Sequence, residues 1–210
     1  HGLFISSHCA LLNGSSMIWL PKFEVEQVFS AMADSTVLMG VPTFYTRLLN
    51  HPGLTRDYVE NIRVFISGSA PLTEQTFNLW ENATGQRILE RYGMSETIIN
   101  TSNPLFGDRV AGSVGFALPG QEVRIIGDDG SVLNHGDIGN IEVRGPNVFS
   151  GYWKKPEKTA EELRENGFFI TGDLGRQDED GRVYIVGRSK DLIISGGYNV
   201  YPKEVEQVLD

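Results

Sequence analysis

Apolar residues in the first hundred positions alternate between helical spacing and short unbroken runs. Residues 23–32 carry apolar side chains three or four positions apart, which predicts a helix. Residues 36–41 (TVLMGV) and 63–67 (RVFIS) predict buried strands, and each is followed by a helical pattern, over residues 43–49 and 73–80. Alternation of this kind favours a parallel sheet covered by helices.

Beyond about residue 104 the apolar segments shorten and Gly and Pro become frequent. Residues 123–126, 139–144 and 182–186 predict strands, and residues 178–181 (DEDG) predict the turn of a hairpin. Residues 158–166 predict a short charged helix. We therefore expect an α/β fold in which a parallel α/β layer is followed by a β-rich subdomain.

Composition narrows the class of protein. The chain has 210 residues, 40% of them hydrophobic and 21% charged, which is typical of a globular protein. A formal net charge of -9 disfavours binding to nucleic acid or to an anionic membrane surface. Cys9 is the only cysteine, so no disulfide forms within the chain. No apolar run approaches the length of a membrane span.

Several enzyme signatures are absent from the sequence. It contains neither the glycine-rich dinucleotide fingerprint nor a P-loop, and its four histidines do not form a zinc motif. Four polar segments follow apolar runs instead: residues 67–71 (SGSAP), 90–97 (ERYGMSET), 171–173 (TGD) and 187–191 (GRSKD). Each alone is more often a surface turn than a ligand site. Their hydroxyls, carboxylates and aromatic ring also suit a nucleotide and Mg²⁺.

Taken together, these segments resemble the adenylate-forming superfamily of acyl-CoA synthetases, nonribosomal peptide adenylation domains and luciferases. The matching stretches are residues 67–72, 90–97, 112–115, 118–120, 151–153, 171–175 and 187–206. Within the superfamily the sequence is most similar to malonyl-CoA synthetases, through residues 39–49 (MGVPTFYTRLL) and 100–105 (NTSNPL).

The resemblance implies binding of ATP with Mg²⁺ and of CoA as co-substrate. Glu96 would hold Mg²⁺, and Ser95, where the family usually has Thr, would contact phosphate; both are assigned as catalytic. The implied cofactor-binding residues are Ser69, Ala70, Pro71, Glu90, Arg91, Tyr92, Gly93, Met94, Ser95, Asp173, Arg188, Gly196 and Gly197. Of these, residues 69–71 and Tyr92 would contact adenine, Asp173 and Arg188 the ribose, and residues 196–197 would flank the pantetheine tunnel.

The same resemblance implies that His1 and Met94 line the acyl pocket and that Lys190 is the hinge of a small C-terminal domain. Arg47 is expected near the N-terminal end of a helix that leaves a strand, where its guanidinium would bind the distal carboxylate of malonate. The alternative is a solvated arginine on the helix surface.

The implied domain division is an α/β part over residues 1–111, a β-rich subdomain over 112–187, and the hinge and start of a C-terminal domain over 188–210. The family's phosphate-binding loop and catalytic lysine are expected outside the chain, so we expect this segment alone to be inactive.

The implied reaction joins malonate or methylmalonate to CoA through an acyl-adenylate. Alternatives are an adenylation domain that loads a carrier protein and a non-catalytic relative that binds nucleotide or acyl groups. A cytoplasmic location is expected, or the mitochondrial matrix in a eukaryote.

Overall fold

The structure is a computed structural model that describes residues 2–195, 198–202 and 205. The chain divides into two compact units. The first comprises residues 1–91 and 104–111, and the second comprises residues 92–103 and 112–210. None of the helices in the described part of the chain is long and apolar enough to cross a membrane. The division into domains expected from the sequence stays a prediction.

The first unit is built on parallel strands with helices between them. Its elements are a π-helical segment (Gly2–Ser7), α1 (His8–Leu12), α2 (Val25–Met32), β1 (Val37–Gly40), α3 (Pro42–Leu49), β2 (Val64–Ser67), α4 (Glu74–Thr84) and β3 (Leu89–Tyr92), whose last residue begins the second unit. β1 pairs with β2 in parallel, with Val37 opposite Val64, and β2 pairs with β3 in parallel. The parallel sheet predicted from the sequence is therefore confirmed.

Three large aromatic side chains fill the core of the first unit. The Trp80 ring meets the rings of Tyr45 and Phe65 edge-on, each at 4.9 Å between centroids, and all three side chains are fully buried. The Tyr45 hydroxyl donates to the carbonyl of Ile66 on β2 at 2.6 Å, so this buried hydroxyl has a hydrogen-bond partner. This contact ties α3 to the central strand.

The ends of α4 follow from local chemistry. Thr73 caps the helix, because its Oγ1 accepts a hydrogen bond from the backbone nitrogen of Thr76 at 3.1 Å. Gly85 ends it with a left-handed φ of 70°, a conformation that glycine adopts without strain. The sequence predicted the cap correctly but ended the helix four residues too early.

The second unit is mainly antiparallel. Its elements are β4 (Thr101–Ser102), β5 (Phe116–Ala117), β6 (Glu122–Ile126), β7 (Gly139–Arg144), α5 (Pro156–Glu162), β8 (Phe169–Gln177), β9 (Val183–Arg188), a 3-10 turn (Ser189–Asp191), β10 (Ile193–Ser195) and β11 (Tyr198–Val200). Strands β6, β7, β8 and β9 form one sheet in that order, with antiparallel pairing throughout. The predicted hairpin turn at residues 178–181 joins β8 to β9 as expected.

The charged helix has different limits from those predicted. It spans Pro156–Glu162 rather than residues 158–166. Proline suits the first turn, because its missing N–H has no partner there in any case. The helix ends when Leu163 becomes extended and forms a bridge with Phe169, and the backbone nitrogen of Arg164 then donates to Phe168.

A buried carboxylate joins two strands of the second unit to the segment after α5. Glu142 on β7 is 1% exposed. Arg124 on β6 donates to its Oε2 from two nitrogens, at 3.0 and 2.7 Å. Arg164 donates to its Oε1 at 2.7 Å. Both oxygens are thus paired, and loss of the carboxylate charge would leave two cations without their partner.

Glu142→Gln is therefore expected to lower the free energy of unfolding by about 3 kcal/mol. This is the low end of the range for breaking a buried ion pair, because both arginines are partly exposed. The matched control is Glu122→Gln, which breaks the exposed pair with Arg144 and should cost less than about 1 kcal/mol. Urea unfolding followed by circular dichroism measures both. Equal effects of the two changes would contradict the assigned role of Glu142.

Candidate functional site

The loop after β2 is held from the neighbouring strand. Ser67, the last residue of β2, pairs in register with Glu90 on β3. The Glu90 carboxylate is buried, and its Oε1 accepts a hydrogen bond from the backbone nitrogen of Leu72 at 3.1 Å. Ser69 has a left-handed φ of 68°, which is uncommon for a residue with a side chain. The loop is therefore fixed at both ends while residues 69–71 are exposed.

Arg91 is a half-buried cation at the end of β3. Its Nε is buried and has no hydrogen-bond partner among the described residues. Its Nη2 lies 3.3 Å from the sulfur of Met39, which also accepts from the hydroxyl of Ser6 at 2.8 Å. Burial lowers the pKa of Arg91, since the charged form is disfavoured away from water. An anion would offset this cost.

Arg47 lies at the opposite end of its helix from the one expected. The prediction placed it near the N-terminal end, but α3 has only eight residues and Arg47 is in its last turn. A cation is favourable there because the carbonyl end of a helix carries partial negative charge. The guanidinium lies 4.6 Å from the centre of the Phe23 ring, which stacks on Phe44. The side chain is exposed, and its proposed role in binding malonate remains a prediction.

In the second unit, the turn after β3 is tight. A Cβ atom at Gly93 would lie 2.1 Å from the carbonyl oxygen of Ile98, so no larger residue fits there without movement of the backbone. The backbone nitrogens of Thr97 and Ile98 both donate to the carbonyl of Met94. This turn exposes the Ser95 side chain and leaves Glu96 half-buried. The motif residues 93–96 therefore share one compact turn.

Asp173 lies inside β8, not in a turn after it as the sequence predicted. Ile170 pairs with Glu142 on β7 and Leu174 pairs with Asn140, so a single β7 residue, Ile141, lies between these two pairs. Three residues of β8, 171–173, lie opposite it and form a bulge. Gly172 takes a left-handed φ of 73° in this bulge. The altered backbone allows β8 to continue as a strand while it presents a carboxylate at this point.

The structure brings Asp173 together with two other predicted site residues. The Tyr92 hydroxyl donates to its Oδ2 at 2.5 Å, and Arg188, its register partner on β9, donates from Nε to its Oδ1 at 2.8 Å. Burial raises the pKa of Asp173, while the Tyr92 hydrogen bond and the Arg188 charge act in the opposite direction. Burial, and then the Asp173 charge, raise the pKa of Tyr92, so its phenol remains a donor at neutral pH.

A second hydroxyl–carboxylate contact was not anticipated from the sequence. The Tyr152 hydroxyl oxygen lies 2.6 Å from Glu162 Oε2 and 3.2 Å from Glu96 Oε1. Lys158 pairs with the other oxygen of Glu162 at 2.6 Å. Burial, followed by the hydrogen bond to Glu162, raises the pKa of Tyr152. Only the position of Tyr152 in the matched stretch 151–153 hinted at a role.

Glu96 suits a metal ion that is shared with a substrate. Among residues 2–195, 198–202 and 205, no three His, Cys, Asp or Glu side chains are grouped to hold a metal by themselves. Mg²⁺ is commonly bound through one or two carboxylates together with the phosphates of a nucleotide. A single half-buried carboxylate fits that arrangement, so the predicted role of Glu96 is compatible with the geometry.

The remaining predicted residues are placed as follows. Lys190 is exposed in the 3-10 turn after β9, and its role as a hinge stays a prediction. Met94 is half-buried in the turn that also carries Ser95. His1, Gly196 and Gly197 lie outside the described residues.

The parallel strands of the first unit and the antiparallel sheet of the second have the architecture of adenylate-forming acid–CoA ligases. A family model described as AMP-binding enzyme matches residues 1–153, and the chain belongs to this family. The resemblance inferred from the motifs is thereby confirmed.

Individual relatives cover the whole chain. It is 38% identical to the mitochondrial malonate–CoA ligase of Mus musculus over 245 residues, spanning 100% of this chain and 42% of that protein. It is also 38% identical to the long-chain-fatty-acid–CoA ligase of Bacillus subtilis (strain 168) over 213 residues, spanning 100% of this chain and 38% of that protein.

Among solved structures, ATP-bound MatB from Rhodopseudomonas palustris superposes with a TM-score of 0.96 at 59% identity, covering 98% of this chain and 41% of that one. The chain thus spans about two fifths of the length of these relatives.

Tyr92→Phe is expected to raise the pKa of Asp173 further, because it removes a hydrogen bond that stabilises the carboxylate. Folding already raises this pKa above its ordinary value of 3.8, so the folded chain keeps the proton to higher pH than the unfolded chain. The free energy of unfolding therefore falls as pH rises from the pKa of Asp173 in the unfolded chain to its higher pKa in the folded chain. This pH range should be wider in Tyr92→Phe.

Carbon-13 NMR of aspartate-labelled protein measures this titration. The matched control is Tyr184→Phe, which removes a similar hydroxyl bound to Asp178 at 3.0 Å and should not move the Asp173 signal. An unchanged or lower pKa of Asp173 in Tyr92→Phe would show that the hydrogen bond does not act on it.

Proposed function

We propose that the protein carrying this chain is an ATP-dependent malonate–CoA ligase. It converts malonate, ATP and CoA into malonyl-CoA, AMP and diphosphate. A malonate carboxylate attacks the α-phosphate of ATP, which forms malonyl-adenylate and releases diphosphate. The CoA thiolate then attacks the acyl carbon and displaces AMP. Methylmalonate, which has the same two carboxylates, is a second substrate of the proposed enzyme.

Arg91 is the observation that carries the malonate assignment. Identity to the two curated relatives does not decide the acyl group, because the mouse malonate–CoA ligase and the Bacillus subtilis long-chain-fatty-acid–CoA ligase are both 38% identical to the chain. A long-chain acid has no second charge, whereas malonate keeps one carboxylate after the other has reacted. The half-buried guanidinium, whose Nε has no partner within the described part of the chain, favours an anionic substrate, since pairing offsets the cost of its burial. Arg47 is proposed as a second cation for the same carboxylate.

The roles proposed for the nucleotide follow from the exposed and paired groups. Residues 69–71 present exposed small side chains and backbone to adenine, and Tyr92 provides a ring for stacking. Asp173 and Arg188 bind the ribose hydroxyls, and Ser95 offers its exposed hydroxyl to phosphate. Mg²⁺ held by Glu96 would neutralise phosphate charge. Lys190 acts as the hinge, and Gly196 and Gly197 flank the pantetheine of CoA.

The alternatives differ in the thiol that accepts the acyl group. An adenylation domain would transfer it to the pantetheine of a carrier protein, and a non-catalytic relative would transfer nothing. Incubation of the full-length protein with malonate and ATP, and then with CoA or with a pantetheinylated carrier, separates these functions. We expect malonyl-CoA; transfer to the carrier alone would replace the proposal. We place the enzyme in the cytoplasm or, as for the mouse relative, in mitochondria.

Arg91→Met and Arg47→Ala should each reduce kcat/KM for malonate in the full-length protein. Loss of a cation that meets a buried carboxylate corresponds to about 2–5 kcal/mol. Propionate lacks the distal charge and should lose far less. The measurement is kcat/KM for both acids in each variant.

Arg63→Ala is the matched control, because Arg63 is an exposed arginine of the same unit and should change neither value. If malonate and propionate fall by the same factor in Arg91→Met, the arginine is structural and the malonate assignment fails, while the ligase assignment stands.

A further inference from the structure

One segment of the second unit supports the turn that carries Glu96. The backbone nitrogen of Phe149 donates to the carbonyl of Glu96 at 2.8 Å. The Asn147 amide donates to the carbonyl of Thr97 at 2.6 Å. These contacts join residues about fifty positions apart, and both hold the backbone on the C-terminal side of the Glu96 Cα atom. Residues 147–149 therefore support one side of the turn that carries Glu96.

The Glu96 side chain is contacted by the same segment. The Tyr152 hydroxyl oxygen lies within hydrogen-bond distance of one carboxylate oxygen of Glu96 and one of Glu162. A phenol has a single proton, so it can donate fully to only one of them. The shorter distance, 2.6 against 3.2 Å, makes Glu162 the stronger acceptor. Glu96 and Glu162 thus compete for one donor.

Lys158 neutralises the charge of Glu162, the carboxylate that competes with Glu96 for the phenol. Its ammonium lies 2.6 Å from Glu162 Oε1, whereas Tyr152 contacts Oε2. Glu162 therefore has a partner for each oxygen. Glu96 has no cation within salt-bridge distance among the described residues, so its carboxylate has capacity for a metal ion.

From this arrangement we propose that Tyr152 is a positioning residue that orients the Glu96 carboxylate for Mg²⁺–nucleotide, and that Glu162 limits the strength of this effect. The inference rests on the metal-binding role of Glu96 in the proposed function. A hydrogen bond to one oxygen of a metal-binding carboxylate fixes its rotamer and leaves the other oxygen for the metal. Lys158 neutralises Glu162, and Glu96 would supply its other carboxylate oxygen to the metal.

Tyr152→Phe tests the inference with little change in packing, because the ring keeps its edge-on contact with Phe149 at 4.8 Å. In the full-length protein, Mn²⁺ replaces Mg²⁺, and its affinity with bound α,β-methylene ATP is measured by electron paramagnetic resonance. We expect affinity for the metal to fall about tenfold, as for other supporting contacts to metal ligands. Affinity for the nucleotide without metal, measured by calorimetry, should not change.

Glu162→Gln should shift the metal affinity the other way. The amide oxygen is a weaker acceptor than the carboxylate, so the phenol donates more strongly to Glu96 and the metal binds more tightly. Tyr184→Phe removes another carboxylate-bound hydroxyl of the same unit and is the matched control that should leave metal affinity unchanged.

The outcomes separate the inference from the function on which it depends. If the unaltered protein shows no metal-dependent nucleotide binding, the role of Glu96 and the inference both fail. If it does, but Tyr152→Phe leaves metal affinity unchanged or weakens nucleotide binding equally without metal, only the inference fails. Should Tyr152→Phe unfold more easily, Glu162→Gln decides, because loss of structure cannot tighten metal binding.

Discussion

The buried carboxylate of Asp173 is the contact on which the predicted site in the second unit depends. Removal of such a group from water costs several kcal/mol unless it is paired, so both its partners must be in place when the chain folds. The register of β8 and β9 places Arg188 opposite it, and the end of β3 brings Tyr92. The bulge in β8 meets this requirement without ending the strand. One ionised side chain thus constrains two strands of the second unit and Tyr92, the residue that begins it.

Adjacent residues of β3 perform different tasks in the first unit because successive side chains of a strand point to opposite faces. Glu90 is buried and accepts a hydrogen bond from the backbone of Leu72, which holds the loop after β2. Arg91 is half-buried, and its Nε has no hydrogen-bond partner among the described residues. The first residue stabilises the loop, and the second retains an unpaired donor that favours an anion.

Several features of the fold followed from local sequence. Apolar runs separated by helical patterns predicted β1, β2 and their parallel pairing, since antiparallel neighbours rarely require a helix between them. Acidic residues followed by Gly181 predicted the turn between β8 and β9. Helix limits were less accurate for α4 and α5. The limits of α3 were close to those predicted, but Arg47 was assigned to its N-terminal end and lies in its last turn. Spacing indicates the face of a helix more reliably than its ends.

The sequence by itself determined the class of the protein, because the motifs 67–72, 90–97, 171–175 and 187–206 preserve both residue types and order. It also determined the alternation of strands and helices. Only the tertiary structure decided that Asp173 lies in a bulge and that Tyr152 bridges Glu96 and Glu162. It also decided that Arg91 Nε is buried without a partner in the part of the chain that is described. These features depend on contacts between residues distant in the chain, such as the 56 positions between Tyr152 and Glu96. Local periodicity reports which face of an element is buried, and it contains no information on which polar atoms meet there.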